Sequence, residues 1–479
     1  MQDVMLVMDF DHDTSRTVAR MLRAERVNCK ILPGDTAAEN VFAMEPRGIV
    51  LAGAPGKRQT FDRALLENQV PLLSLGGMAC EMVAALGGEL KGVGYAGFSS
   101  VRWEHCPLFA GMDETDRMIN HLCKWALPPM LMPAAGTADD VLAFQHMARP
   151  FYGLQLDMDP NAPEDAQILR NFAVEVCGCQ EEWTEISFIE SVMEDMRNKA
   201  QEGRALCCVT GGLDSALSAV LAKGALGERL QCLFVNTGFL RQGESDEFLQ
   251  CCEKELELNV VTANEADRFT KALRGITDGD EKRRIFQETM RQVVQEWAEK
   301  LGPFRYFVKG TNCSDKMYSG ASKAIAPGGA EVIEPLEDLF KPEIKQVAAC
   351  TGMPDWFVRQ QPFPSGGLAV RIVGEVDQEK LEILRFADHA FSRELNNNGT
   401  ARRLYQYYAM LLPAAFHANA GSTVVLRAVQ SGEGTVASAA RLPYDLIETV
   451  TERILQENKQ VAHVVYDMTP GNYFADAEW

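Results

Sequence analysis

The chain has 479 residues, room for two to four domains at roughly 100–200 residues each, and its 46% hydrophobic and 24% charged residues exclude a disordered or fibrous protein. Forty-seven Lys and Arg against 67 Asp and Glu leave a net charge of −20, which repels phosphate backbones and anionic lipid, so neither nucleic acid nor a membrane is an expected partner. An anionic small molecule then needs a local site of backbone N–H groups, a few cations or a metal.

Thirteen cysteines, an odd number that includes the pairs Cys207/Cys208 and Cys251/Cys252 in apolar runs, read as small hydrophobes of a reducing compartment. No CxxC occurs, and Cys177-Gly-Cys179 lacks a His-rich partner, so it reads as a helix end rather than a zinc site. The start, Met-Gln-Asp-Val, has no basic segment of a signal peptide, and no run of about 18 apolar residues is present, so a cytoplasmic chain is expected.

In chain order, Val4–Asp9, Gly48–Gly53 and Pro71–Leu75 are short apolar runs, and Thr17–Arg26 between the first two carries Val18, Met21 and Leu22 at helical spacing. This alternation predicts strands and helices around a parallel sheet. The segment Asn171–Glu182 closes that unit, and Trp183–Ala200 reads as an amphipathic linker helix. A second βαβ pattern begins at the strand Ala205–Val209, continues through a helix with Leu217, Val220 and Leu221 on one face, and adds strands at Leu230–Val235 and Asn259–Thr262. From Pro362 the pattern changes to β-branched strands at Val370–Val373, Thr423–Val429 and Val461–Tyr466, with helices at Glu379–Asn396 and Tyr444–Glu457, an α+β unit. The fold class expected is α/β, with two doubly wound parallel-sheet domains followed by a small α+β domain.

The junction Thr210-Gly-Gly-Leu-Asp-Ser215, between a strand and a helix, carries the most chemistry. Two glycines let backbone approach phosphate oxygens, the helix start supplies N–H groups and a positive dipole end, and Asp214 can hold a Mg²⁺ bridging those oxygens. It is not a Walker loop, which needs GxxxxGK[ST]. As a bare pattern it also fits a tight turn capped by Asp.

Thr210–Ser215 resembles the SGGxDS pyrophosphate loop of the N-type ATP pyrophosphatases, and the chain as a whole resembles the GMP synthetase family. The matches run in order through Cys177-Gly-Cys179 with Trp183, Gly238-Phe-Leu-Arg241, Gly275-Ile-Thr-Asp278, Lys282-Arg-Arg284, Gly310-Thr311 with Asp315, Glu334-Pro-Leu336 with Lys341, Pro362-Phe-Pro364 with Gly367-Leu-Ala369 and Arg371, and Arg441-Leu-Pro443. The resemblance implies three parts: a class I glutamine amidotransferase-like domain over 1–186, an ATP pyrophosphatase domain over 187–361 and a C-terminal dimerisation domain over 362–479, with a homodimer expected. It implies an ATP- and Mg²⁺-dependent ligase that adenylates the O2 of a purine nucleotide such as XMP and displaces AMP with ammonia. Its ATP site maps onto Thr210, Gly211, Gly212, Leu213, Asp214 and Ser215 with Val235, Gly310, Thr311 and Asp315; Asp214 is the metal ligand, and Asp214, Ser215 and Lys341 are the catalytic positions.

Against that pattern the first domain lacks a glutaminase triad. The nucleophile position is Gly76, Cys80 falls four residues later, the His and Glu positions are Asp157 and Asp159, and the oxyanion loop reads Ala52-Gly-Ala-Pro55. His12, His105, His121 and His146 are the remaining candidates for a base in that domain. The nucleotide side also departs: Ser322–Pro327 replaces a lid with paired His, Pro362-Phe-Pro-Ser-Gly-Gly367 replaces a Pro-Gly-Pro-Gly loop, His417–Ser422 is shortened, and the tail after Asp467 has no Lys. Arg371, Arg427 and Lys323 are possible compensating cations. On the ATP side Asn236 and Lys309 stand where the family has an acidic residue and a Gln, a change that fits drift or retuning equally. The expectation is therefore an ammonia-dependent ligase without glutamine hydrolysis, with a diverged substrate or a non-catalytic ATP-binding regulator as alternatives.

Overall fold

The computed structural model describes residues 3–94, 96–121, 123–319, 326–414, 421–431 and 437–469. The chain forms two compact units, Met1–Phe188 and Ile189–Trp479.

The first unit is built from β1 (Met5–Asp9), α1 (His12–Ala24), β2 (Cys29–Pro33), α2 (Ala38–Phe42), β3 (Gly48–Ala52), β4 (Leu72–Leu75) and α3 (Gly77–Ala85). There follow β5 (Glu89–Val93), β6 (Gly97–Trp103), β7 (Thr115–Ile119), β8 (Cys123–Ala126), β9 (Leu131–Gly136), β10 (Val141–His146), β11 (Phe151–Leu154) and α4 (Pro163–Arg170). Nine strands form one sheet in the order β2-β1-β3-β4-β11-β10-β9-β6-β7. The first five pair parallel and the rest antiparallel. β3, β4 and β11 are buried along their whole length, which is why they read as unbroken apolar runs. Helix α1 begins at His12, five residues before the apolar spacing suggested, because the Asp11 carboxylate caps it by accepting the Thr14 N–H at 3.2 Å. Asn171–Val176 is a π-helical turn whose end is Cys177-Gly178, with Gly178 at φ +68°. The helix-end reading of that cysteine pair holds, and the Cys177 thiol is buried, its pKa raised by desolvation.

Helix α5 (Glu185–Ala200) spans the junction. The second unit continues with β12 (Ala205–Val209), α6 (Leu213–Leu226), β13 (Leu230–Asn236), α7 (Glu244–Lys254), β14 (Val260–Asn264), α8 (Ala266–Ala272), α9 (Gly279–Leu301), β15 (Tyr306–Val308), α10 (Cys313–Ser319) and β16 (Glu331–Ile333). Its five strands are all parallel, in the order β14-β13-β12-β15-β16. Counted from β12 this is 3-2-1-4-5, a doubly wound sheet whose order reverses between β12 and β15, and ligands of such sheets bind in the crevice beyond the strand ends at that switch. The remainder is α11 (Lys341–Cys350), α12 (Asp355–Val358), α13 (Gln378–Asn397), β17 (Gln406–Leu412), β18 (Ser422–Ser431), β19 (Ala437–Ala439), α14 (Tyr444–Glu457) and β20 (Val461–Tyr466). β18 lies antiparallel to β17 and β19 and parallel to β20. The two sheets of this unit share one apolar cluster, in which Leu206, Phe239 and Phe286 join Leu368, Leu384, Leu411 and Leu426.

The expected strand at Val370–Val373 is a correction. Gly367–Arg371 is a 3-10 turn, and only Ile372 bridges to Leu411. The buried Lys282 ammonium donates to the Ala369 carbonyl at 3.3 Å and to that of Ile372 at 2.6 Å, so a side chain takes acceptors that a neighbouring strand would have used. Gly367 makes the turn possible: it sits at φ +60°, and a Cβ there would lie 2.6 Å from the Phe239 carbonyl oxygen.

Candidate functional site

The loop Thr210–Gly212 leaves β12 at the switch point and runs into α6. Gly211 takes φ +88°, and a Cβ on it would meet nothing within 4 Å, so the turn needs glycine for its backbone and leaves open space above it. Gly212 is the N-cap of α6 and offers no capping side chain, so the start of the helix carries its positive dipole end without a side-chain cap. The Ser215 hydroxyl accepts the Thr210 N–H at 3.1 Å, donates to the Gly212 carbonyl at 2.9 Å and lies 3.1 Å from the Thr210 hydroxyl, which fixes the curvature of the loop. The capped-turn alternative is not what is built, since no carboxylate caps α6.

Asp214 is held by side chains from other elements. Its Oδ2 accepts the Asn312 side-chain N–H at 3.0 Å and pairs with Lys341 Nζ, while its Oδ1 is buried without a hydrogen-bond partner. The loop after β15 closes over this spot: a Cβ on Gly310 would fall 2.8 Å from the Asp214 carbonyl carbon and 2.9 Å from the Ser215 nitrogen, so only glycine allows the approach. Thr311 is buried beside it, its hydroxyl also without a partner. Asp315 and Asn312 cap each other, each backbone N–H donating to the other's side chain at 3.0 Å. Val235 is buried in β13 within the apolar cluster. Asn236 spends its amide on Asn264 at 3.3 Å and on the Gly238 N–H at 3.1 Å, and Lys309 stands 4.0 Å from Glu334.

The folded chain thus brings Thr210, Gly211, Gly212, Leu213, Asp214, Ser215, Gly310, Thr311 and Lys341 to one crevice. Asn312, which sequence reasoning missed, completes it; the Asn-x-x-Asp spacing to Asp315 was the available signal of a capped helix start. The residues fit a Mg²⁺ ion at Asp214 Oδ1, an orphaned buried carboxylate oxygen. Among the described residues no group of three or more His, Cys, Asp or Glu side chains could hold a metal ion, so an ion here would complete its shell with phosphate oxygens and water, as Mg²⁺ commonly does.

In the first unit Gly76 occupies a sharp turn between β4 and α3 with φ 58° and ψ −125°. The segment from Gly53 lies directly on it. A Cβ on Gly76 would be 2.1 Å from the Gly53 carbonyl oxygen, and one on Gly77 would be 1.6 Å from the Lys57 carbonyl oxygen. The Gly77 N–H donates to the Ala54 carbonyl at 3.1 Å. The segment is anchored further on, where Arg58 pairs with Glu81 at 2.7 Å and the Gln59 amide donates to the Phe10 carbonyl at 2.6 Å. Cys80 is buried on α3, its sulfur 3.9 Å from Gln155 Oε1, and burial pushes its pKa to about 12. His146 Nδ1 accepts the Ala148 and Arg149 N–H groups at 3.1 Å each, and burial lowers its pKa. His12 is engaged with Asp9 at 2.5 Å, and His105 and His121 are exposed. Asp157 accepts from Asn120 at 2.8 Å, and Asp159 accepts the Asn161 N–H at 2.9 Å.

Arg371 is buried between Phe363 and Tyr408 and lies 3.4 Å from Asp388, and burial lowers its pKa to about 10. Arg427 is buried against Asp467 and donates to the Thr469 carbonyl at 3.1 Å. Lys323, most of the replaced lid at 322–327, most of the shortened loop at 417–422, and the tail from 470 lie outside the described residues.

Three family descriptions match in succession: Glutamine amidotransferase class-I over residues 6–176, NAD synthase over 185–397 and GMP synthase C terminal domain over 393–479. A protein of Caldanaerobacter subterraneus subsp. tengcongensis named GMP synthase [glutamine-hydrolyzing] is 34% identical over 499 positions, covering 98% of this chain and 97% of that one. Proteins of the same name from Acetivibrio thermocellus and Caldicellulosiruptor saccharolyticus are each 33% identical, covering 98% of this chain and 98% of theirs.

Proposed function

The chain belongs to the GMP synthase family, and we propose that it is an ATP- and Mg²⁺-dependent amidating ligase fed by free ammonia, with glutamine hydrolysis lost. The observation that carries this reading is the convergence, at the switch point of the second unit, of the Gly211-Gly212 turn, the start of α6, the Asp214 carboxylate and Lys341. That set suits a nucleoside triphosphate: backbone N–H groups for the phosphate oxygens, a mobile cation for the charge that builds on a departing pyrophosphate, and a carboxylate for a divalent ion. When bound, Mg²⁺ neutralises pyrophosphate charge.

In the reaction proposed, a purine O2 attacks the α-phosphorus of ATP, and the bond from that phosphorus to the bridging oxygen breaks as pyrophosphate leaves with the electron pair. Ammonia then adds to C2, loses a proton, and AMP departs with the C2–O bonding pair. The chain's part is to hold the triphosphate, orient its α-phosphate and stabilise the leaving group through Lys341. The functional division proposed places this chemistry in 187–361, a scaffold in 1–186 and a dimer-forming unit in 362–479, in a cytoplasmic protein.

The loss of glutamine hydrolysis is supported by the filled turn at Gly76. Thiolate chemistry at such an elbow needs a side chain there, room for an acyl group and a donor for its oxyanion. Here the Gly53–Lys57 carbonyls take the room, and Ala54 takes the Gly77 N–H. Incubation with XMP, Mg-ATP and ammonium chloride, following AMP and GMP by chromatography, tests the reading. AMP formation with ammonium and none with glutamine is expected, and equal turnover with glutamine would overturn it.

A second reading, an altered acceptor in place of XMP, is favoured by the engagement of Arg371 and Arg427 with internal carboxylates. Each lost charge-assisted phosphate contact weakens binding by about 1.5–3 kcal/mol. On this reading ATP–pyrophosphate exchange persists with another acceptor while XMP turnover stays weak.

A further inference from the structure

We infer that Asn312 is a positioning residue that sets the rotation of the Asp214 carboxylate and leaves Oδ1, not Oδ2, as the oxygen available to a divalent cation. The inference rests on the reading of Asp214 as the ligand of the nucleotide's Mg²⁺.

Two donors meet on Asp214 Oδ2, the Asn312 amide at 3.0 Å and the Lys341 ammonium, and Oδ1 is left buried with no hydrogen-bond partner. The two donors are not equivalent. Lys341 keeps about half of its side chain exposed, at 48%, on a flexible four-carbon stem at the start of α11. Asn312 is 1% exposed and is held independently of Asp214: its side-chain Oδ1 accepts the Asp315 N–H, and its backbone N–H donates to the Asp315 carboxylate. A lysine that turns toward phosphate oxygens gives up its hold on Asp214, and the amide then keeps the carboxylate from rotating. Groups that orient a metal ligand typically matter 10–100-fold in metal affinity.

Two substitutions separate this role from the helix cap. Asn312→Ser keeps an oxygen to cap the Asp315 N–H but is too short to reach Asp214, and Asn312→Leu keeps the volume and loses both bonds. The full-length protein is titrated with ATP by calorimetry over a series of Mg²⁺ concentrations and in EDTA, with Asp214→Asn in parallel. Both Asn312 variants are expected to need about tenfold more Mg²⁺ for half-maximal tightening of ATP binding, with the affinity in EDTA unchanged. An unchanged Mg²⁺ requirement in Asn312→Ser, while Asp214→Asn loses it, overturns the inference alone. Equal weakening with and without Mg²⁺ also overturns it, as a structural effect. If Asp214→Asn keeps the wild-type Mg²⁺ dependence, the assignment of Asp214 as the ligand falls, and this inference falls with it.

Discussion

Gly76 is the single position on which the proposed loss of glutamine hydrolysis turns. A missing thiol alone would be reversible by one substitution, but here the neighbouring backbone occupies the space, with the Gly53 oxygen 2.1 Å from where a Cβ would stand. Gly76→Cys must push the segment Gly53–Lys57 away against the Arg58–Glu81 pair and also hold a Cβ at φ 58° and ψ −125°. Overpacking of this kind costs about 1–3 kcal/mol. The variant is therefore expected to melt several degrees below the wild type, with glutamate release from glutamine at background. Glutamate release above background at an unchanged melting temperature would show that the segment moves aside freely. On the reading proposed, Cys80 is no substitute: burial pushes its pKa up to about 12, and its sulfur lies 3.9 Å from the amide oxygen of Gln155.

At the scale of elements, α9 and the turn Gly367–Arg371 are joined by a buried cation. Lys282 faces two carbonyls, with Asp278 favouring its charge and Lys380 opposing it, and burial brings its pKa down to about 8. An unfolded lysine titrates at about 10.4. Between those two values the unfolded chain binds more protons than the folded one, so stability gains from this group as pH rises from about 8 toward 10, by at most about 1.4 kcal/mol per pH unit. In urea titrations at pH 7.5 and 9.5, the wild type is expected to gain relative to Lys282→Met. A constant difference between the two proteins would mean that the amine does not titrate in that window. The neutral amine still donates two hydrogen bonds, so the turn itself survives the change. The outer edge of β17, bridged by Ile372 at Leu411, is covered further along by side chains, with Gln361 accepting the Tyr407 N–H at 2.8 Å and Asp388 the Ala409 N–H at 3.0 Å.

For the whole molecule, a net charge of −20 concentrates the requirement for local cations at any phosphate site, and Lys341, paired with Asp214, is the cation proposed to meet it at the crevice. The C-terminal unit of β17–β20 with α13 and α14 is proposed to pair two chains. Sedimentation is expected to give about 106 kDa, twice the 53.0 kDa chain. A monomer mass that does not change with concentration would count against the pairing. Because side chains occupy outward N–H groups of β17, the pairing is expected to use the faces of the unit rather than an extended sheet across that edge.

The sequence by itself determined the features that act over short stretches of chain. These are the strand, glycine turn and helix at Ala205–Leu226, the apolar runs of the parallel strands, and the helices near Gln378–Asn397 and Tyr444–Glu457, because backbone propensity, capping and hydrophobic period are properties of neighbouring residues. The absence of a thiol and an imidazole at the elbow was legible for the same reason, as a matter of residue identity. Only the tertiary structure decided what stands in their place. The Asp214 carboxylate meets an amide 98 residues away and an ammonium 127 residues away, and Val370–Val373 gives up its strand to a lysine about 90 residues earlier. Contacts at such separations follow from how whole elements pack, and no pattern within the segments involved encodes which side chain will reach which carbonyl.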